Sequence, residues 1–282
     1  VPRSAPHPLL ASALLVFTLL LSACAPREPD SGAAHPLPPG PDGLPDLGGR
    51  RVIVALENGY VPFSYIRTDT REAVGWDYDA LREIGRRLNF RPEFREIAWD
   101  SLIQGVATGQ FDLAADGITI TEERARIVDF SAPYLTIRQR LLIRADESRF
   151  DNLPSLVATP AARIGAQKGN TNYGVSEKLV GPRRVVAYDG FGELIQALLG
   201  RDVDAIVLDD ITGYGFVRLH PGKLRLTADT FEEQQLGLIF PKNSPLRAPV
   251  DAALAAMQAD GTLERINAAW FSETAAPPAT PQ

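Results

Sequence analysis

The side chains that most often carry covalent or metal chemistry are scarce in this 282-residue chain. It has one cysteine, Cys24, and three histidines, of which only His220 lies beyond the first 35 residues. A single cysteine allows no internal disulfide, no CxxC redox pair and no cysteine-rich zinc site. One histidine in the body leaves little for imidazole catalysis or a multi-histidine metal site, so no metal and no cofactor are expected. What remains are charged and hydroxyl groups at the ends of apolar runs. Asp209 closes the run Asp204-Ala-Ile-Val-Leu208, with Asp210 directly after it. Either aspartate suits a helix N-cap or a turn as well as a binding role. Thr121-Glu-Glu-Arg124 has the form of a helix start, with a hydroxyl to cap it and acids in the first turn. Such a start favours anions, and the planar fork of an arginine binds a carboxylate through two hydrogen bonds.

These groups need a scaffold, and the first stretch of the chain is not part of it. Leu9 to Leu21 is almost unbroken apolar sequence, too short to cross a bilayer as a stable helix. It ends in Leu21-Ser22-Ala23-Cys24, which resembles the lipobox of bacterial lipoproteins, where the cysteine is lipidated and becomes the mature N-terminus. Residues 1–23 are therefore expected to be a signal peptide and Cys24 a lipidation site. The 24–49 segment is rich in Pro and Gly and has no periodicity, which predicts a flexible tether. Residues 273–282 are expected to be a disordered tail. The formal charge is −6, an acidic balance that argues against a dedicated nucleic-acid binder.

Between tether and tail the pattern alternates. Arg51–Leu56 is an apolar run fit for a buried strand, and Asp79–Leu88 places Leu81, Ile84 and Leu88 at helical spacing. A helix over 101–108 is followed by a strand over 111–115. The alternation recurs with strands at 163–166 and 185–188, a helix at 193–199 and a strand at 204–208. A last strand at Leu236–Phe240 precedes helices at 249–259 and 263–271. Repeated strand–helix alternation implies α/β sheets covered by helices on both faces, with ligands at the carboxyl ends of strands.

Four segments, in order, resemble the polar amino-acid-binding proteins of bacterial ABC uptake systems, the family 3 solute-binding proteins. They are Val54-Ala-Leu-Glu-Asn-Gly-Tyr-Val-Pro-Phe63; Gly75-Trp-Asp-Tyr-Asp79; Asp116-Gly-Ile-Thr-Ile-Thr-Glu-Glu-Arg124 with Val128-Asp-Phe-Ser-Ala-Pro-Tyr134; and the ending from Leu236-Gly-Leu-Ile-Phe-Pro-Lys242 through Asp260-Gly-Thr-Leu263 to Trp270-Phe271. Together they span roughly residues 50 to 272. The resemblance implies a two-lobed α/β periplasmic-binding-protein fold of type II, with two crossing hinge strands. Lobe 1 would comprise 50–138 and 236–272, and lobe 2 would comprise 139–235.

The resemblance also implies a site. A free amino acid is a zwitterion, so a desolvated pocket must offer a cation to its carboxylate and an anion to its ammonium. Arg124, with Gly117 and Thr119, matches the family's carboxylate-binding positions, and Asp209 matches the carboxylate that pairs with the α-amine. Gln167-Lys-Gly-Asn-Thr171 resembles the family's Gly-Thr-Thr turn, with Asn170 in place of the first threonine and Thr171 as a carboxylate donor. Tyr60 and Trp99 match aromatic positions that sandwich the ligand side chain. Glu57, where relatives often have aspartate, and Gln167 would add selectivity for a polar or basic side chain. Phe63 reads as plain core.

The reading is a lipid-anchored extracytoplasmic receptor, not an enzyme, that closes over an amino acid and hands it to an ABC permease. A monomer and no nucleic-acid partner are expected. The alternative is a periplasmic cyclohexadienyl dehydratase on the same scaffold, acting on prephenate or arogenate, for which Glu57 or Asp209 would supply the acid. Such a lyase would place less demand on a complete zwitterion clamp.

Overall fold

The computed structural model describes residues 43–272, together with Val1. The expected signal peptide, Cys24, most of the expected tether and the expected tail lie outside the described residues. The tether's last residues are packed: Leu47 is buried in the core, and its backbone N–H donates to Leu88 O at 2.7 Å. Packing thus extends ahead of the first strand through Leu44 and Leu47.

Strands β1 (Arg50–Leu56), β2 (Gly59–Tyr60), β3 (Ser64–Ile66) and β4 (Ala73–Val74) lead into helix α1 (Trp76–Leu88). There follow β5 (Phe90–Glu96), α2 (Trp99–Ala107), β6 (Leu113–Ala114), α3 (Glu122–Ala125) and β7 (Val128–Phe130). Then β8 (Leu135–Arg144), α4 (Leu153–Val157), β9 (Ile164–Gln167), α5 (Thr171–Val180), β10 (Val185–Tyr188), α6 (Phe191–Leu199), β11 (Ala205–Asp209), α7 (Asp210–Leu219) and β12 (Leu224–Leu226) form the middle of the chain. The chain ends with β13 (Phe231–Leu236), β14 (Ile239–Pro241), α8 (Arg247–Ala259) and α9 (Thr262–Phe271).

Two sheets organise the molecule. The first has the order β5-β1-β6-β14-β7, with β1 parallel to β5 and β6, and β14 antiparallel to β6 and β7. The second has the order β10-β9-β11-β8-β12, with β13 also paired to β8. The first sheet therefore draws on both ends of the described chain and the second on its middle. Only β8 and β13 carry the chain between the sheets, and they run antiparallel to each other from Leu135–Leu236 to Gln139–Phe231. Within β8, Ile137, Gln139, Leu141 and Ile143 all face inward, so an amide stands in an otherwise apolar row.

Local departures from the sequence expectation have physical causes. Helix α1 starts at Trp76 rather than Asp79. The N–H groups of Trp76 and Asp77 donate to Pro62 O and Phe63 O, both at 3.0 Å, which satisfies donors that a helix start leaves free. Gly75 permits this approach: its φ is +140°, and a Cβ there would lie 2.1 Å from Phe63 O. The single strand expected over 236–240 is two, because the chain leaves β13 at Leu236 and enters the other sheet at Ile239. Strands β8 and β13 alternate charged and apolar residues too irregularly to stand out from periodicity.

Candidate functional site

The cleft lies between the two sheets, beside β8 and β13, and polar side chains from both halves meet across it. Tyr60, on β2, donates its hydroxyl to Asp209 Oδ2 at the end of β11. Asp209 Oδ1 accepts from Gln139 Nε2 at 2.9 Å. Asp209 holds the N-cap position of α7, yet its side chain makes no capping hydrogen bond. Asp210 does the local work instead, accepting from the Ile211 N–H at 2.9 Å and the Arg138 N–H at 3.3 Å. The two adjacent aspartates thus divide into a buried one that faces the cleft and a half-buried one that serves the turn. Burial pushes the Asp209 carboxyl up to about 6, against the hydrogen bond from Tyr60 that favours its charged form.

Arg124 belongs to the short helix α3, which Thr121 caps by accepting the Arg124 N–H at 3.2 Å. Cap and inward guanidinium coexist, because the cap uses the Arg124 backbone and leaves its side chain free to point inward. Arg124 is 8% exposed, and its guanidinium donates to Thr119 O at 2.9 Å and Gly169 O at 3.4 Å. It lies over the Trp99 ring at 5.1 Å, a cation–π contact that supports the charge without neutralising it. Among the described residues it has no ion-pair partner within 4.0 Å. Burial pulls it down to about 10, the mark of a desolvated cation.

Around this cation stand the remaining expected donors. Gly117 has φ +57°, and a Cβ there would sit 2.6 Å from the Tyr60 ring, so glycine lets that aromatic close over the backbone. Thr119 Oγ1 and Thr171 Oγ1 face each other across the cleft at 3.5 Å. Thr171 is the first residue of α5, capped by Asn170, whose side chain accepts from the Asn172 N–H at 3.4 Å. The asparagine that departs from the expected threonine therefore still serves as the cap.

At the other end, Gln167 Nε2 donates to Glu57 Oε1 at 2.9 Å and lies 3.1 Å from Glu57 Oε2 and from Asp189 O. Burial pushes the Glu57 carboxyl up to about 7, and the charges of Asp100 and Glu96 push the same way. Tyr60 stacks on Phe63 with ring centroids 5.4 Å apart and tilts against Phe191 at 4.8 Å. Phe63 is fully buried, as its core assignment expects. Trp99 packs on Arg124 and beside Gly169. In front of Arg124 a cavity of about 530 Å³ remains, lined in part by Asp100, Gln104, Glu123, Thr171, Lys178 and Gln234.

All ten expected cleft residues thus converge on one region. Two that sequence reasoning missed are the hinge amides Gln139 and Gln234. Gln234 Oε1 lies 3.2 Å from Gln139 Nε2, 3.3 Å from Thr119 Oγ1 and 3.5 Å from Thr171 Oγ1. The period-two row Ile137, Gln139, Leu141 was the available signal for the first of them.

The family model for bacterial extracellular solute-binding proteins, family 3, matches residues 52–273. The chain belongs to this family. The L-cystine-binding protein TcyA of Bacillus subtilis is 28% identical over 222 residues, covering 78% of this chain and 81% of that protein. The arginine-, lysine-, histidine-binding protein ArtJ of Geobacillus stearothermophilus superposes with a TM-score of 0.72 at 32% identity, over 78% of this chain and 95% of that one. The ancestral amino acid-binding protein AncCDT-1, a precursor of cyclohexadienyl dehydratase, does so with a TM-score of 0.73 at 27% identity, over 79% and 96%. This family member therefore has the two-lobed α/β architecture of amino-acid-binding proteins, and β8 and β13 are the strands between its lobes. Among the described residues no helix is long and apolar enough to cross a membrane.

Proposed function

We propose that this chain captures a free amino acid by closing its lobes over it and delivers it to an ABC permease, without catalysing a reaction. One observation carries the reading: a buried guanidinium with no ion-pair partner among the described residues and a buried carboxylate, Arg124 and Asp209, come from opposite halves to one cleft. A zwitterion neutralises both at once, and burying either charge alone is costly. In this reading Arg124, Gly117, Thr119 and Thr171 take the α-carboxylate, with Asn170 holding the α5 start, and Asp209 takes the ammonium. Glu57, Gln167, Tyr60 and Trp99 surround the side chain, and the carboxylates at that end favour a polar or basic one. The closing bodies would be 50–138 with 236–272, and 139–235. A solute touching both bodies favours the closed state through its differential affinity.

The protein would act outside the cytoplasm as a monomer, held to the membrane by lipid on Cys24. A Cys24→Ser variant should then leave the membrane fraction. The reading itself is tested by a thermal-shift screen of the purified protein against the twenty amino acids, prephenate and arogenate. A solute at 100 times its Kd stabilises the folded state by about 2.7 kcal/mol. A rise in Tm with a polar or basic amino acid, and no product formed, is expected. No shift with any amino acid, together with consumption of prephenate or arogenate, would establish the dehydratase instead.

A further inference from the structure

The amide of Gln234 has a fixed direction. It sits on β13, two residues after Glu232, where the pairing with β8 slips and Glu232 takes φ +49°. Such a bulge re-aims the side chains next to it. Gln234 Nε2 donates to Glu232 Oε1 at 3.1 Å, and a carboxylate can only accept. The amide oxygen must therefore point the other way, into the cleft.

There it meets Thr119 Oγ1 from one lobe at 3.3 Å, Thr171 Oγ1 from the other at 3.5 Å, and Gln139 Nε2 at 3.2 Å. The first two are the hydroxyls assigned above to the solute's carboxylate. Each hydroxyl has one proton to give, and Thr171 also has the oxygens of Asn170 and Asn172 within 3.3 Å. An oxygen of a solute carboxylate taking the Thr119 proton has to take it from Gln234. Gln139 links the same oxygen to the ammonium site, because its Nε2 also donates to Asp209 Oδ1 at 2.9 Å.

We infer that Gln234 is a positioning residue whose amide oxygen competes with the solute's carboxylate for the Thr119 hydroxyl. The inference rests on the amino-acid reading given above. It makes Gln234 a built-in competitor that can satisfy Thr119 without solute. Its cost is a weaker grip on the solute.

The test compares Gln234→Met, of similar shape but without the amide acceptor, with Gln234→Glu, which places a carboxylate at the same point. Affinity is measured by calorimetry with L-arginine, L-lysine, L-histidine and L-glutamine, and the solute-free Tm by circular dichroism. Gln234→Met should bind about fivefold tighter, since roughly one neutral hydrogen bond no longer has to be broken, and should melt lower without solute. Gln234→Glu should bind at least tenfold more weakly. A merely structural amide gives the opposite pattern, in which Gln234→Met weakens binding or leaves it unchanged, and that result overturns the inference alone. A wild-type protein that binds none of the four solutes nor any other of the twenty amino acids overturns the amino-acid reading and the inference with it. If Gln234→Met fails to fold, Gln234→Glu decides: unchanged affinity in that variant overturns the inference.

Discussion

The hydroxyl of Tyr60 on β2 donates to Asp209 Oδ2 at the end of β11, across the cleft between the lobes. A phenol thus occupies one side of the carboxylate to which an ammonium is assigned. The contact has two consequences. It holds the lobes together through a neutral donor, and it stabilises the charged form of Asp209 in a place where burial opposes that form.

Tyr60→Phe keeps the ring that packs on Phe63 and Phe191 and removes only the donor. Without it the Asp209 carboxyl should rise above about 6. Ammonium binding needs the carboxylate charged, so the pH midpoint of affinity should move upward. Calorimetry at pH 6 and pH 8 checks this: the variant's loss of affinity should be several-fold larger at pH 6. An equal loss at both values would mean that the hydroxyl does not govern this titration.

Arg124→Ala and Asp209→Ala each remove one pole of the clamp. Truncating one partner of a buried charge pair costs about 2–5 kcal/mol of binding, so Kd should rise by at least about thirtyfold in either variant. Neither side chain anchors a core cluster, and the far-ultraviolet circular dichroism should be unchanged. Wild-type affinity in both variants would remove the clamp.

The sequence exposes the body of the fold through its apolar runs, because buried strands such as β1 and β11 and amphipathic helices such as α1 and α6 have strong periodicity. It exposes Arg124 within a matched segment and Asp209 at the end of an apolar run. What it hides are β8 and β13, whose exposed residues are polar or charged and whose inward row includes Gln139. Gln139 and Gln234 earn their positions from strand pairing and a bulge, both of which join residues about 95 positions apart. Asp209 and Asp210 are equally good caps in sequence. They part only when the turn takes the second and buries the first.

Gly75→Ala tests the junction that starts α1. Its backbone, φ 140° and ψ 174°, lies in a region that only glycine enters freely. An added Cβ would meet Phe63 O at 2.1 Å. The conformational strain alone is about 1–3 kcal/mol, and the clash adds to it. Urea unfolding should show at least that loss. A loss under about 0.5 kcal/mol would mean that the Phe63 segment moves aside without cost.

Glu57 makes both stability and selectivity depend on pH. Its folded-state carboxyl is raised from 4.5 to about 7, chiefly by burial. The folded state then holds a proton that the unfolded chain has released, so this contribution is full below pH 4.5 and is lost as pH rises through 7. Asp209, raised from 3.8 to about 6, acts in the same direction over a lower window. The solute-free Tm should therefore fall between pH 5 and pH 8, and Glu57→Gln should flatten the upper part of that fall. Binding runs the other way. A guanidinium or ammonium side chain favours the charged Glu57, so its binding expels the proton and tightens as pH rises through 7. An amide side chain has no such preference. Affinity for L-arginine should gain severalfold between pH 6.5 and pH 8 while affinity for L-glutamine stays nearly constant. Glu57→Gln should remove the difference between the two. Parallel pH profiles for both solutes in the wild-type protein would place the cationic end of the ligand somewhere other than Glu57.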